Sequence, residues 1–194
     1  MIGWGKGLLW LALAAPAALM AWRLASGEAT AFDLYQPTGE LSLRLMLLAL
    51  IPGPLAEFFG RGRFLRAWLS VRRNLGVAAF VYAALHLAAY VADMQALAAM
   101  LAELALPGIW TGWLAFAVLA VPASISTDVA MRRLGRTWKR LQWLAYPALA
   151  LALLHWALLD RAWLPVLVHL VPLGLAWSLR IAARNGYRFR RRPA

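Results

Sequence analysis

The sequence predicts an all-α, polytopic membrane protein, a bundle of six transmembrane helices, and three observations support this fold class. Of the 194 residues, 63% are hydrophobic, which is too apolar for an ordinary soluble domain. The apolar residues form long continuous runs rather than the alternating pattern of a membrane barrel. The 20 basic and 8 acidic residues lie mostly between these runs, in clusters of one sign.

Each apolar run has close to the ~20 residues that a helix needs to cross about 30 Å of hydrocarbon. The predicted spans are at about residues 8–24, 41–59, 75–92, 108–125, 141–159 and 163–179. We find no internal repeat and no low-complexity linker, so residues 1–194 are interpreted as a single domain. The alternative for the first span is a cleaved signal peptide, and its removal would leave the other five spans oriented as before.

Charge predicts the orientation of the bundle. Most basic residues fall on one side of a six-span arrangement, at Lys6 and in clusters at 61–73, 132–140 and 180–192. Six acidic residues fall on the other side, namely Glu28, Asp33, Glu40, Asp93, Glu103 and Asp160. The positive-inside rule therefore places both termini in the cytoplasm. The basic clusters are interpreted as topology signals and contacts with anionic membrane lipid, not as a nucleic-acid surface.

Three histidines, His86, His155 and His169, are the most informative residues. Each lies inside a predicted span, and each is roughly 8–10 Å from the outer boundary when counted along its own helix. A lone histidine at this depth is more often a packed core residue, but an ionisable residue in a membrane is a functional hypothesis by default. Three at one depth, with no other histidine in the chain, favour a shared site.

Facing imidazoles in a helix bundle are typical axial ligands of heme b, which needs no covalent attachment. The chain has no cysteine, so a thiolate ligand and a covalently bound heme are excluded. Alanines around His86 would leave room for a flat macrocycle, and Tyr82, Tyr90 and Trp156 would cover it. Zinc and a proton relay are less favoured, because no acidic residue shares the histidine level inside the spans. Arg44 is expected either to extend to the interface or to bind a heme propionate.

Four stretches of the sequence carry a resemblance. They are PTGELSLRLMLLALIPGPLAEFFGR (37–61), RRNLGVAAFVYAALHLAAY (72–90), STDVAMRRLGRTWKRLQWLAY (126–146) and LLHWAL (153–158). Together they resemble the heme-binding membrane subunits of bacterial periplasmic methionine sulfoxide reductase systems, within the ferric reductase-like transmembrane family. The likeness covers about residues 36–160.

The resemblance implies a b-type cytochrome of the bacterial inner membrane, without substrate chemistry of its own. It would pass electrons to a periplasmic molybdopterin enzyme that reduces methionine sulfoxide in oxidised envelope proteins. The quinone pool or a cytosolic flavin reductase would supply the electrons, and binding of FMN is a further implication. By position, His86 and His155 match the family's outer-heme ligands. Where the family usually has a further histidine this chain has Gln142, a poor iron ligand, so one heme is expected and a second is doubtful.

The site predicted from the sequence therefore has His86 and His155 as metal ligands, with His169, Arg44 and Tyr90 as further cofactor-binding residues. His169 lies outside the family pattern, so it is expected to ligate, to replace a ligand or to bond a propionate. Burial and an absence of nearby carboxylates are expected to set the reduction potential. Two other functions stay open: a ferric or quinone reductase without a sulfoxide reductase partner, and a non-redox membrane scaffold.

Overall fold

A computed structural model describes residues 2–161 and 163–187 of the chain. Within these residues it has ten α-helices: α1 (Ile2–Ala25), α2 (Tyr35–Leu50), α3 (Pro52–Phe59), α4 (Arg63–Met94), α5 (Leu97–Glu103), α6 (Pro107–Ser124), α7 (Asp128–Leu134), α8 (Arg136–Gln142), α9 (Ala145–Asp160) and α10 (Trp163–Arg184). A short 3-10 helix, Phe32–Leu34, leads into α2. Four arginines of the predicted basic tail lie outside the described residues, namely Arg188, Arg190, Arg191 and Arg192.

Six stretches of the described residues are long and apolar enough to cross a membrane, and the predicted six-span fold is confirmed. They are Gly5–Ala25, Phe32–Phe59, Arg63–Met94, Pro107–Ser124, Arg136–Asp160 and Trp163–Arg184. The chain is therefore a multi-pass membrane protein. Which end of the bundle faces the cytoplasm stays a prediction from the charge pattern.

Three spans differ in detail from the sequence prediction. The second consists of α2 and α3, which meet at Ile51 because Pro52 has no N–H to continue the helical bonds. The fifth consists of α8 and α9, with a turn at Trp143–Leu144 between them. The third is the single helix α4 of 32 residues, about 48 Å long, so it extends beyond the hydrocarbon at its Arg63 end.

Two helix pairs form the core of the bundle. Helix α2 packs along α4, and α6 packs along α9, while α10 lies against α3 and α1 contacts α4. The most deeply buried positions include small residues, Ala79 of α4 and Ala148 of α9. Small side chains let neighbouring helices approach closely in a membrane, where apolar surface alone gives little drive to associate.

Ion pairs join the elements at the end of the bundle that carries the basic clusters. Arg180 of α10 contacts Glu57 of α3 at 2.6 Å. Arg73 of α4 donates a hydrogen bond to Asp128 at the start of α7. This bond, together with the charge of the Arg73 guanidinium, lowers the pKa of the Asp128 carboxyl. The pair therefore persists to a lower pH than an isolated aspartate would allow.

Tyr82 of α4 joins α1 to the rest of the bundle. Its hydroxyl donates to the carbonyl oxygen of Leu13 at 2.7 Å and accepts from the backbone N–H of Ala17 at 3.2 Å. In an uninterrupted helix these two backbone groups would bond each other, and Pro16 lies between them in the chain. The expectation that Tyr82 covers a cofactor stays a prediction, and the structure shows its hydroxyl inserted into α1.

We expect Tyr82→Phe to lower the free energy of unfolding by about 1–3 kcal/mol, because both hydrogen bonds to α1 are lost. Thermal unfolding of the detergent-solubilised protein measures this difference. Tyr187→Phe is the matched control, since its side chain is largely exposed. A Tyr82→Phe protein with the stability of the control would contradict the bridging role.

Candidate cofactor site

A cavity of about 750 Å³ lies between the two helix pairs, with residues of α2, α4, α6 and α9 in its walls. Five carboxylate residues line one end of it: Asp33, Glu40, Asp93, Glu103 and Asp160. We call this end of the bundle the acidic end. His86, Tyr90 and His155 also line the cavity, so the structure brings these three predicted residues together.

His86 of α4 and His155 of α9 meet inside this cavity. Their ring centroids are 6.0 Å apart, and the ring planes are nearly perpendicular at 86°. Two imidazoles bound to opposite sides of one metal ion, through bonds of about 2 Å each, have centroids roughly 6 Å apart. The spacing therefore fits axial coordination of a single iron by both rings.

A backbone carbonyl of a neighbouring element holds each imidazole at Nδ1. His86 Nδ1 lies 2.9 Å from the carbonyl oxygen of Tyr35, and His155 Nδ1 lies 2.6 Å from that of Gly108. A carbonyl oxygen only accepts, so Nδ1 carries the proton in both rings and Nε2 keeps its lone pair. Neither Nε2 takes part in a hydrogen bond among the described residues. Each ring therefore has a nitrogen available for a metal.

The donor set fits heme better than a bare metal ion. Among the described residues, no group of three or more histidine, aspartate or glutamate side chains could hold a metal ion. Zinc sites usually have three or four such protein ligands. Heme iron needs only axial ligands from the protein, because the macrocycle supplies the others. Two imidazoles in a cavity lined mainly by apolar side chains match that requirement.

Aromatic side chains hold the carboxylates at the acidic end. Tyr90 donates to Glu103 at 2.8 Å, and Tyr35 donates to Asp93 at 2.9 Å. The indole of Trp156 similarly donates to Asp160 at 2.6 Å. The expectation that no carboxylates lie near the site is wrong, because α5 and the helix ends bring these residues to the cavity. The i, i+4 spacing of Trp156 and Asp160 was the one local signal for this arrangement.

His169 and Arg44 are not among the residues that line the cavity. His169 Nδ1 lies 2.7 Å from the carbonyl oxygen of Pro165 in its own helix, and its ring contacts that of Trp156 at 5.3 Å. Arg44 is 54% exposed and pairs with Glu40 at 2.6 Å. The residues that they contact, Trp156 and Glu40, do line the cavity. Their roles as alternate ligand and propionate partner stay predictions.

Gln142 has a structural role at the other end of the bundle. Its Nε2 donates to the carbonyl oxygen of Pro122 at 3.0 Å and to Ser126 Oγ at 3.3 Å. The Pro122 carbonyl lies in the last turn of α6, where carbonyls lack a helical partner. Gln142 therefore ties the end of α8 to the end of α6, and it does not line the cavity.

Fold and site define a multi-pass helical membrane protein in which a histidine pair meets in a cavity between four helices. The chain belongs to the family described as ferric reductase like transmembrane component, whose family model matches residues 38–153. His86 falls inside the matched range, and His155 follows two residues after its end.

Three curated relatives align with most of the chain, and all three are called protein-methionine-sulfoxide reductase heme-binding subunit MsrQ. The relative from Caulobacter vibrioides is 39% identical over 165 residues, which are 80% of this chain and 76% of the relative. That from Xanthomonas axonopodis pv. citri is 37% identical over 162 residues, 77% of this chain and 72% of the relative. That from Xanthomonas campestris pv. campestris is 34% identical over 191 residues, 90% and 86% respectively. The comparison with solved structures finds no match.

Proposed function

We propose that this chain is a b-type cytochrome subunit of the bacterial inner membrane that passes electrons to a periplasmic methionine sulfoxide reductase. The observation that carries the proposal is the pair His86 and His155. Their ring centroids are 6.0 Å apart, and both Nε2 atoms are available. The printed names of the relatives support heme binding and the reductase system. Membership of the ferric reductase-like family supports electron transfer.

In this proposal His86 and His155 would hold the heme iron through their Nε2 atoms. Heme bound there supplies reversible one-electron transfer. The carbonyls of Tyr35 and Gly108 keep both rings in the tautomer that offers Nε2. Ala83 and Ala152, each three residues before a histidine, leave space in the cavity wall. Tyr90 and its partner Glu103 close the cavity towards the acidic end.

The proposed partners come from the family resemblance, and they are consistent with the electron balance. Reduction of one methionine sulfoxide consumes two electrons and two protons and releases water, so the partner enzyme must collect two successive one-electron transfers. A periplasmic molybdopterin subunit is the proposed acceptor, and the quinone pool or a cytosolic flavin reductase is the proposed donor. The charge pattern predicts that the acidic end lies on the periplasmic side, close to that acceptor. At the opposite end, basic residues such as Arg63 contact anionic lipid.

We propose one heme per chain. Two of the three histidines of the sequence are used by one iron, and the third, His169, does not line the cavity. The amide nitrogen of Gln142 is already bonded to Pro122 and Ser126. No pair of imidazoles is therefore left for a second iron.

We expect the protein purified in detergent to contain one heme b per chain and to show a low-spin, bis-imidazole absorption spectrum. A heme assay on a sample of known protein concentration measures the ratio. Fluorescence of acid-released flavin from the same sample tests for FMN. Two hemes per chain would contradict the one-heme proposal, and a colourless protein from heme-supplied cells would contradict the function itself.

A ferric or quinone reductase without the sulfoxide reductase partner is the second candidate, favoured by the family match alone. The two differ in what oxidises the reduced protein. Rapid oxidation by methionine sulfoxide only in the presence of the partner enzyme supports the first function. Rapid oxidation by a ferric chelate without any partner supports the second. A scaffold would carry no chromophore in either assay.

A further inference from the structure

Two copies of one local arrangement hold the two histidines. A Thr-Gly step, Thr38–Gly39, lies in the first turns of α2, and a second, Thr111–Gly112, lies in the first turns of α6. In each copy the carbonyl four residues before the glycine contacts a histidine Nδ1. For Gly39 this is the contact of the Tyr35 carbonyl with His86, and for Gly112 it is the contact of the Gly108 carbonyl with His155.

The threonine of each step lies beside the same carbonyl. Thr38 Oγ1 is 3.1 Å from the carbonyl oxygen of Tyr35 and also bonds that of Leu34. Thr111 Oγ1 is 2.8 Å from the carbonyl oxygen of Gly108 and 2.7 Å from that of Pro107. The two threonines are only 2% and 1% exposed. In both copies the carbonyl that accepts from the imidazole therefore also lies within hydrogen-bond distance of a buried hydroxyl, which shares its single proton with the preceding carbonyl.

The glycine of each step is where the imidazole touches the neighbouring helix. A Cβ atom at Gly112 would lie 2.6 Å from His155 Nδ1, a distance that real Cβ atoms essentially never show. A Cβ atom at Gly39 would lie 3.3 Å from His86 Nδ1. Gly76 of α4 and Gly174 of α10, by contrast, have nothing within 4 Å of a Cβ. Of these four glycines, only the two of the Thr-Gly steps approach a histidine.

The duplication extends along both helix pairs. Residues one, three, four and seven positions after the glycine line the cavity in α2 and in α6 alike. Residues three positions before the histidine, Ala83 and Ala152, line it in α4 and in α9. The repeat is one of position and not of residue type, since Ser42 corresponds to Ala115. This likeness of position leaves the prediction that the sequence has no internal repeat unchanged.

We propose that Thr38–Gly39 and Thr111–Gly112 form a duplicated device that positions the two iron ligands, an inference that rests on the proposed function. The glycine admits the edge of the imidazole against the helix backbone. The carbonyl one turn earlier takes the Nδ1 proton, and the threonine hydroxyl moderates the strength of that carbonyl as an acceptor. All four residues act through His86 or His155 and are positioning residues.

Glycine substitutions test the device. We expect Gly112→Ala to displace the His155 ring, so that the low-spin spectrum is replaced by a high-spin one or at least half of the heme is lost. Gly39→Ala is expected to have a smaller effect, because its Cβ contact is longer. Gly76→Ala and Gly174→Ala are the matched controls and should retain the wild-type spectrum. A Gly112→Ala protein with the wild-type heme content, spectrum and midpoint potential would overturn the proposal.

Threonine substitutions decide the case if Gly112→Ala does not elute as a folded protein on gel filtration. Thr111→Val keeps the shape but removes the hydroxyl, so the Gly108 carbonyl accepts more strongly from His155 and the imidazole becomes more electron-rich. We expect a lower midpoint potential for Thr111→Val and the wild-type value for Thr111→Ser. An unchanged potential in Thr111→Val would overturn the positioning role. Wild-type protein that binds no heme would instead refute the proposed function.

Discussion

We expect His86→Ala and His155→Ala each to abolish the low-spin heme spectrum of the purified protein. Each substitution removes one of the two rings that meet at 6.0 Å, and no other described histidine lines the cavity to replace it. The carbonyl of Tyr35 would also lose its Nδ1 partner in His86→Ala, and the carbonyl of Gly108 would lose its partner in His155→Ala. Absorption spectra of the oxidised and reduced protein, scaled to protein concentration, measure the loss.

His169→Ala is the matched control for this experiment. It removes the same side chain at the same predicted depth, but its ring contacts Trp156 rather than the other two histidines. We expect the low-spin spectrum to persist, with a small shift transmitted through Trp156. Loss of the spectrum in His169→Ala would make His169 a ligand. Persistence of the spectrum in His155→Ala would refute the bis-imidazole site.

We expect Ala152→Trp to exclude most of the heme while the bundle still folds. Ala152 lines the cavity one turn from His155, so a new indole enters the space that the proposal gives to the cofactor. A tryptophan side chain brings about 150–250 Å² of surface into that space, so the indole and the macrocycle would compete for it. Because the indole enters a cavity and not a packed core, the strain of overpacking is largely avoided.

Ala150→Trp is its control, two residues away on the same helix and exposed on the surface of the bundle. Heme content per chain is measured for both variants after gel filtration. The control should bind as much heme as the wild type. Full heme content in Ala152→Trp would show that the cofactor lies outside this cavity.

The spans and the meeting of His86 and His155 could be predicted from the sequence for a simple reason. In a membrane helix, position along the chain converts directly into depth, at 1.5 Å per residue. Equal depth on separate helices is therefore readable without coordinates. The near-perpendicular rings and their shared use of Nδ1 needed the structure, because rotation of a helix about its axis leaves depth unchanged.

The position of His169 shows that equal depth does not predict which way a side chain faces. Its predicted depth equals that of the other two histidines, yet α10 packs mainly against α3 and the ring contacts Trp156 instead. Apolar residues surround membrane helices on all sides, so the hydrophobic pattern does not reveal which face points inward. Thr38 and Gly39 were noted in the sequence only as part of the resemblance, and the contact of the Thr-Gly steps with the histidines was missed because a glycine contact with a ring on a distant helix leaves no local signal.

The acidic residues were correctly grouped on one side, but their approach to the histidine cavity was not predicted because depth was measured only within the spans. Glu103 lies in α5, a short helix outside every predicted span, and it reaches the cavity through Tyr90. Asp93 reaches it through Tyr35, from 58 positions away along the chain. Contacts of this kind depend on how connecting segments return over the bundle, which no residue spacing encodes.

The five carboxylates at the acidic end bear on the reduction potential of a heme bound in the cavity. Ferric heme held by His86 and His155 would carry one more positive charge than ferrous heme, so the carboxylates at the mouth of the cavity, of which Glu40 is already paired with Arg44, would favour the ferric form. A centre with such neighbours would be a stronger reductant than one in a purely apolar pocket. On the predicted orientation, this rim would add driving force for giving the electron to the proposed acceptor.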